Sequence, residues 1–486
     1  MIILSLILFI ALLIKCYNSL TIYQQSHYNN KYYLRYYFYR SIYDIPIVLI
    51  SIILISTNNL NIKLSSSIYL LLYELIITRN YKKKLKLTKR IYRLIIILIP
   101  YLILNIFLFI YPLFNYGIIL CFIISNLLES IINKKYLNKA IVKRTYFKKD
   151  VVAITGSFGK TTTKIFMACI LDSLKPFYTQ ESYNTPMGIS LSINHEELNL
   201  YNLLILEFGA SKRNDIAYLM KCFKPNIAVV TSVGYMHLNT FKSIENIVNE
   251  KMKIVEMLNN GLVILNYDND YIRKYKIKTK QHIISYGYKN GDIIIKKDTS
   301  IFSIYYLGIY IDSFNHKALS DIEILDLIPG LILALLYKID KNEIQKRILS
   351  LKRPKSRLEI KKFDKLTVIN DAFNSNLEGA LTALDTLKRS SGIKFLITPG
   401  FVENDKVLNK LYISYSMRIK ESVDYAFIIH SKTGDILYKY LNSNKCFLVN
   451  SFNEAYNLSI QAFKGVNKTI LIENDMLDIN ENRLFN

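Results

Sequence analysis

Val151-Val152-Ala153-Ile154-Thr155-Gly156-Ser157-Phe158-Gly159-Lys160-Thr161-Thr162-Thr163 is the stretch that decides the fold. Five β-prone residues run into a glycine, a second glycine follows, and Lys-Thr opens a segment with helical spacing through Leu174. Strand, glycine loop, Lys-Thr, helix is the order of a phosphate-binding loop. Glycines let backbone N–H groups approach phosphate oxygens, and the helix N-terminus adds positive potential. Gly156, Ser157, Gly159, Lys160, Thr161 and Thr162 are therefore the candidate nucleotide-binding residues. Lys160 would neutralise the β/γ-phosphates and the Thr161 hydroxyl would sit on Mg²⁺. The loop is the shorter GxxGKT; the longer GxxxxGK[ST] form would need glycine where this chain has Ile154.

Downstream, Leu204-Ile205-Leu206 ends in Glu207, where packing alone would not put an acid. Ligands of open α/β sheets gather at the carboxyl ends of strands, and a hard carboxylate oxygen there suits Mg²⁺. His237 ends the next apolar run in the same way, after Ile227–Val233. Thr161, Glu207 and His237 form the candidate metal set. In the last third, β-rich runs at 394–398, 425–429, 446–449 and 469–473 alternate with helical patterns, as in a parallel doubly wound sheet.

Taken in order, these motifs resemble the Mur ligase family, and its MurF-like members in particular. That family carries a TGxxGKT[ST] loop, usually with Asn where Phe158 stands. Ser182-Tyr183-Asn184-Thr185-Pro186-Met187-Gly188 resembles its Asn-rich loop facing the acceptor, which makes Tyr183, Asn184 and Thr185 the substrate candidates. Glu250-Lys251-Met252-Lys253-Ile254 resembles the helix with the family's carbamylated lysine; Lys251 is the candidate and Lys253 competes with it. A lysine that takes up CO₂ at neutral pH must sit in a site that lowers its pKa. Leu265-Asn266-Tyr267-Asp268 resembles the Asn-x-Asp turn near the nucleotide, and Pro354-Lys355-Ser356-Arg357 the interdomain hinge, with serine for the usual glycine. Asp371-Ala372-Phe373-Asn374-Ser375-Asn376 resembles Asp-x-Tyr-Asn-Ala-Asn. The resemblance implies that Asn266, Arg357, Asp371 and Asn374 meet ATP, and that Lys160, Lys251 and His237 carry catalysis. An Asn cluster is also ordinary turn and cap chemistry. Residues 398–403 and 473–475 lie at strand ends and could line the amine's site. The family's Gly-x-His-Asn-x-x-Asn segment has only Asn315-His316 here.

The first third reads differently. Five apolar spans fall at about 1–16, 43–57, 65–78, 92–112 and 116–133, the second and third short enough to be a re-entrant pair. Residues 1–150 hold twenty Lys and Arg against Asp44, Glu74, Glu129 and Asp150, so most of the chain's net charge of +25 stands beside apolar spans. The basic residues occupy alternate loops, which points to an outside N-terminus and a cytoplasmic chain after span five. Glu74 is either a functional intramembrane acid or a paired one. The charge is read as topology and headgroup contact rather than nucleic-acid binding. The five cysteines lack CxxC spacing, which argues against a disulfide framework or a zinc site.

The expected architecture is an α-helical transmembrane region (1–135), a basic linker (136–150), an α/β P-loop Mur ligase central domain (151–353) and a Rossmann-like C-terminal domain (354–486). The resemblance implies an ATP- and Mg²⁺-dependent amide ligase of cell-wall precursor synthesis, multi-pass in a bacterial cell membrane with cytoplasmic catalytic domains. Its partners would be a peptide or muropeptide acceptor, either soluble or lipid-linked, an amino acid or dipeptide amine, and membrane lipids. The rivals are a poly-γ-glutamate-type polymer ligase and a nucleotide-sensing membrane protein without catalysis.

Overall fold

The computed structural model describes residues 2–26, 28–34, 50, 56–79, 85–108, 114–236, 238–278, 281–316, 319–354, 358–372, 377–401 and 405–474. His237, Arg357, Asn374 and nearly all of the expected span 43–57 lie outside the described residues. The chain divides into two compact units, Met1–Tyr136 and Leu137–Asn486.

In the first unit the other four apolar spans fall in helices: α1 (Ile2–Gln25), α2 (Leu60–Arg79), α3 (Lys89–Leu108) and α4 (Phe114–Tyr146). Their core includes Leu70, Leu94, Leu98 and the stacked rings of Tyr23 and Phe122, with centroids 3.8 Å apart. Glu74 is buried and accepts from Asn18 Nδ2 at 2.8 Å. Arg93 grips Glu129 with two bonds, 2.6 and 2.9 Å. Among the described residues one helix, Gly117–Tyr146, is long and apolar enough to cross a membrane.

Residues 136–150, expected as a basic linker, are helical as far as Tyr146, and their charges have local uses. Lys143 Nζ donates to the carbonyls of Ile193, Asn194 and Glu196 at 2.8–3.3 Å. Arg144 donates to the carbonyls of Phe223 and Lys224 at 2.7 and 2.6 Å. Each side chain thereby satisfies the orphan carbonyls at the end of a helix.

The second unit holds two sheets. The larger has nine strands in the order β2-β3-β1-β4-β5-β6-β7-β8-β9. These are β1 Val151–Thr155, β2 Pro176–Tyr178, β3 Leu203–Glu207, β4 Ile227–Val230, β5 Leu262–Asn266, β6 His282–Gly287, β7 Ile293–Lys297, β8 Ile301–Tyr306 and β9 Ile309–Asn315. Strands β1 to β6 pair in parallel, and β7, β8 and β9 form an antiparallel meander at one edge. β1, β3 and β4 are buried along their whole length, which is why they read as unbroken apolar runs. Alternate residues serve opposite faces: Val151 and Ala153 enter one core, Val152 and Ile154 the other. The first face is covered by α6 (Pro186–Asn194), α7 (Asp215–Phe223) and α9 (Ile244–Glu256), with the short α8 (Leu238–Phe241) beside them. The second is covered by α5 (Lys160–Ile170), α11 (Asp321–Leu336) and α12 (Lys341–Leu349); α10 (Asp270–Arg273) follows β5.

The smaller sheet has the order β10-β11-β15-β12-β13-β14. β10 (Glu359–Lys362) is antiparallel to β11 (Leu366–Asp371). β12 (Ile393–Thr398), β13 (Tyr425–Ile429), β14 (Cys446–Val449) and β15 (Lys468–Glu473) are the four expected strands, and all pair in parallel. The last strand returns between the first two of the parallel set, so β11, β15 and β12 end side by side.

Candidate nucleotide and acceptor site

The glycine loop takes its shape from two backbone positions. Gly159 has φ +79°, and a Cβ there would lie 2.4 Å from Asp326 Oδ1. Gly156 has φ +157°, and a Cβ would lie 2.1 Å from Thr231 Oγ1. Only glycine fits such close approach, and the same feature lets a loop lie against phosphate. The residues after β4 fasten it: Ser157 N donates to Ser232 O at 2.6 Å, Ser157 Oγ to Gly234 O at 3.0 Å, and Thr231 Oγ1 to Phe158 O at 2.5 Å. Phe158 lies with its ring against Gly234. α5 starts at Lys160, whose Nζ donates to the carbonyls of Gly156 and Ser157 at 2.8 and 2.9 Å.

Glu207, at the end of β3, is the centre of a buried network. Thr161 Oγ1 donates to its Oε2 at 2.9 Å, Asn184 Nδ2 to its Oε1 at 2.9 Å, and Lys164 Nζ lies 3.1 Å from Oε2. Burial pushes the Glu207 pKa up, but Lys164 and Lys160 outweigh it and hold the carboxyl below its ordinary value. The site therefore keeps an ionised oxygen donor beside a hydroxyl at the head of a helix, a donor set suited to Mg²⁺. Lys164 was not singled out in the sequence. Its signal was a lysine one helical turn beyond Lys160, directly before the apolar run Ile165–Ile170. It also donates to the carbonyl of Glu181, tying the 181–184 loop to Glu207.

The three acceptor-loop candidates have different local tasks. Asn184 holds Glu207, and its carbonyl accepts from Gly209 N at 2.8 Å. Thr185 is the N-cap of α6, its hydroxyl accepting from Gly188 N at 3.1 Å, with Pro186 at the first helical position. Tyr183 packs against Gly188.

α9 separates the two lysine candidates. Lys253 is partly exposed and pairs with Glu250 at 2.6 Å and with Asn214 at 2.8 Å. Glu250 in turn accepts from the backbone of Asn214 and Ile216 at the start of α7. Lys251 is buried. Burial and then the charge of Lys160 lower its pKa to about 7, against the pull of Glu250, Asp215 and Glu207. That is the condition a carbamylated lysine requires: a substantial neutral fraction at physiological pH. Among the described residues no group of three His, Cys, Asp or Glu side chains gathers as a metal cage.

A cleft between the two sheets brings the other candidates together. Thr162 from the loop helix, Asn266 from the end of β5 and Asp371 from the end of β11 all line it, with Asp326, Arg353 and Thr382. Asn266 shapes its turn by accepting from Asp268 N at 3.1 Å, and Asp371 accepts from Leu358 N at 3.0 Å just past the hinge. Asp326 also accepts from Thr163 Oγ1 at 3.1 Å. It went unnoticed in the sequence although an acid within Ile324–Leu336, a nearly continuous apolar run, is a signal. Asn315 and His316 lie at the end of β9: His316 is buried with its Nε2 3.2 Å from Asp298 O, and it is Asp326 that lies against Gly159 of the glycine loop. Arg353 meets Glu323, with its Nη2 3.1 Å from Oε2, at the hinge-side wall. Thr398, Glu473 and Asn474, expected at the amine's site, are fully buried. Asn474 Nδ2 donates to Thr398 Oγ1 at 3.1 Å and Tyr415 donates to Glu473. Burial, aided by Asp371, pushes the Glu473 pKa well above the carboxylate range despite the Tyr415 bond.

A glycine loop at the head of a helix, a buried strand-end acid and a cleft closed by a second sheet define an α/β protein of the P-loop class. Residues 154–316 match the Mur ligase middle domain. Over 277 residues the chain is 30% identical to UDP-N-acetylmuramoyl-tripeptide–D-alanyl-D-alanine ligase of Buchnera aphidicola subsp. Baizongia pistaciae, covering 54% of this chain and 59% of the relative. The protein of the same name from Borreliella burgdorferi is 28% identical over 283 residues, 56% of this chain and 60% of the relative. The chain thus spans about three-fifths of the curated relatives it matches. The crystal structure of MurF ligase from Thermotoga maritima in complex with ADP superposes with a TM-score of 0.60 at 23% identity, covering 70% of this chain and 80% of that one, a likeness of fold.

Proposed function

We propose that the chain is a membrane-anchored, ATP-dependent carbon–nitrogen ligase of the MurF type, acting in peptidoglycan or cell-wall precursor synthesis. The observation that carries this reading is the convergence on Glu207: the loop residue Thr161, the buried Lys164 and the acceptor-loop residue Asn184 all bind its carboxylate. One ionised group thereby joins a nucleotide loop to a loop that resembles the acceptor loop of the family.

The acceptor is a peptide carboxylate and the donor an amine; by analogy with the relatives they are a muramoyl tripeptide and D-alanyl-D-alanine. The carboxylate oxygen attacks the γ-phosphorus of ATP, ADP leaves, and an acyl phosphate forms. The amine nitrogen then attacks the acyl carbon, phosphate leaves, and the nitrogen gives up a proton. Two anions meet in the first step, so catalysis is mainly positional and electrostatic. Thr161 and Glu207 would hold one Mg²⁺ ion, and His237 and a carbamate of Lys251 a second, and the ions would supply positive charge at the phosphates. Lys160 exchanges its loop carbonyls for phosphate oxygens. Asn184 fixes the acceptor loop beside Glu207, Asn266 and Asp371 hold the nucleotide from the walls of the cleft, and Arg357 and Asn374 join them by the family resemblance. Closure at the hinge that begins at Pro354 excludes water from the acyl phosphate.

The membrane reading is supported by the outward faces of the first unit, where Ile96 is 66% and Leu127 62% exposed. It makes a lipid-linked acceptor the alternative to a soluble UDP-linked one, with the second unit cytoplasmic. The test is ADP and amide formation by the purified full chain with each acceptor. We expect the two products in equal amounts, and loss of both on Lys160→Ala. ADP without amide would leave a nucleotide-sensing protein, and efficient use of the soluble acceptor alone would remove the lipid-linked one.

A further inference from the structure

The antiparallel edge of the large sheet ends in a hairpin that the ligase chemistry does not use. Ile301 to Ile311 contains no charged side chain in eleven residues. Its turn, Leu307-Gly308, stands clear of the rest: Leu307 is 66% exposed, and a Cβ on Gly308 would meet nothing within 4 Å. Ile309 is 69% exposed, with Tyr306, Tyr310 and Ile311 open beside it. A register shift between Ile304 and Tyr305 interrupts the ladder just before the tip, as a β-bulge does. Behind it lies an apolar pocket walled by Ile293, Ile304, Tyr306 and Ile311 from the strands and by Ile332 and Leu336 from α11. Soluble surfaces rarely leave so continuous an apolar patch uncovered, and an apolar edge strand is a hazard unless something shields it.

The charges around the patch identify what covers it. Lys296 stands 4.5 Å over the Tyr305 ring, Lys341 pairs with Asp312 next to Ile311, and Lys338 is exposed two residues beyond Leu336. Tyrosines and aliphatic side chains at a projecting tip, with lysines behind them, match the interface of an anionic bilayer: apolar groups enter the acyl boundary while ammonium groups stay with headgroup phosphates. Strand addition by a second copy would pair the β9 edge but would leave the Leu307 tip in water.

We propose that the β8–β9 hairpin docks on an anionic lipid surface, with Tyr306, Leu307 and Ile309 at the acyl boundary and the pocket against α11 receiving an acyl chain. This seats the cleft of the second unit at a membrane and so deepens the lipid-linked alternative proposed for the acceptor.

The chain contains no tryptophan, so a single introduced indole reports its own surroundings. The test uses three full-chain variants: Leu307→Trp at the tip, Phe447→Trp on the exposed face of β14, and Ile96→Trp on α3. Each is mixed with phosphatidylglycerol–phosphatidylcholine vesicles brominated on the acyl chains. We expect the lipid to quench Leu307→Trp emission at least twofold, to leave Phe447→Trp unchanged, and to quench Leu307→Trp less when phosphatidylglycerol is omitted. Leu307→Trp emission that responds to aqueous iodide as Phe447→Trp does, and not to brominated lipid, overturns the proposal. So does a blue shift that follows protein concentration without lipid, the mark of a second copy. Ile96→Trp separates the readings: its quenching without that of Leu307→Trp removes the hairpin proposal and keeps the membrane anchor. Quenching of Leu307→Trp alone keeps the hairpin proposal and removes the anchor.

Discussion

Asn184 and Glu207 meet at 2.9 Å, the amide Nδ2 of one donating to Oε1 of the other. The contact joins the acceptor-like loop to the acid at the end of β3, so the loop and the carboxylate cannot move independently. Asn184→Asp keeps the size but sets two carboxylates together. We expect it to weaken Mg²⁺-dependent turnover and raise the acceptor KM by roughly tenfold or more, at about 1.4 kcal/mol per tenfold. Steady-state kinetics with varied Mg²⁺ and acceptor are the check. Unchanged constants would separate the loop from the site.

Lys164→Met leaves Glu207 buried without its nearest cation. Breaking a buried pair from one side costs about 3–5 kcal/mol. Glu207 has a depressed pKa in the fold, so the stabilisation it contributes is present above its ordinary 4.5 and is lost as the pH falls through the lower, folded value. The gap between wild type and Lys164→Met should therefore be wide at neutral pH and narrow in acid. Adding Glu207→Gln to Lys164→Met should recover most of the loss, which a double-mutant cycle by denaturant unfolding measures.

Lys251 titrates near 7 in the fold and near 10.5 when unfolded. Below pH 7 both states are protonated and the cost of burying the ammonium is at its greatest. Between 7 and 10.5 the unfolded chain holds the extra proton, so stability rises with pH. Lys251→Met should raise the melting temperature more at pH 6 than at pH 9 in CO₂-free buffer, while removing activity. A wild type whose turnover climbs through pH 7 and responds to bicarbonate would fit uptake of CO₂ by the neutral amine; indifference to bicarbonate would count against it.

Glu473 is the reverse case. Its folded pKa lies well above 4.5, so above that pH the unfolded chain loses a proton that the native state keeps, and stability falls. Glu473→Gln retains an acceptor for Tyr415 and cannot ionise. It should match wild type at pH 4 and become progressively more stable than wild type as the pH rises, as thermal unfolding across pH would record.

The sequence by itself determined the glycine loop, the order of strands and helices on both sides of it, and the strand-end acid. These are local matters: glycine tolerates backbone that other residues do not, a fully buried parallel strand must be apolar throughout, and the β-rich runs at 394–398, 425–429, 446–449 and 469–473 match β12–β15 to within a residue. Only the tertiary structure decided which charged side chains face one another. Lys164, Asp326 and Arg353 were not singled out in the sequence, and become part of the site because Lys164 reaches Glu207 from α5, and Asp326 and Arg353 line the cleft. Lys251 and Lys253 could not be told apart by spacing, since both lie on one short helix, and burial separates them. Lys143 and Arg144, read only as topological charges, also bind the carbonyls at the ends of α6 and α7. In each case an ion's role depends on its solvation and its partners across tens or hundreds of residues, and no local pattern of side chains carries that information.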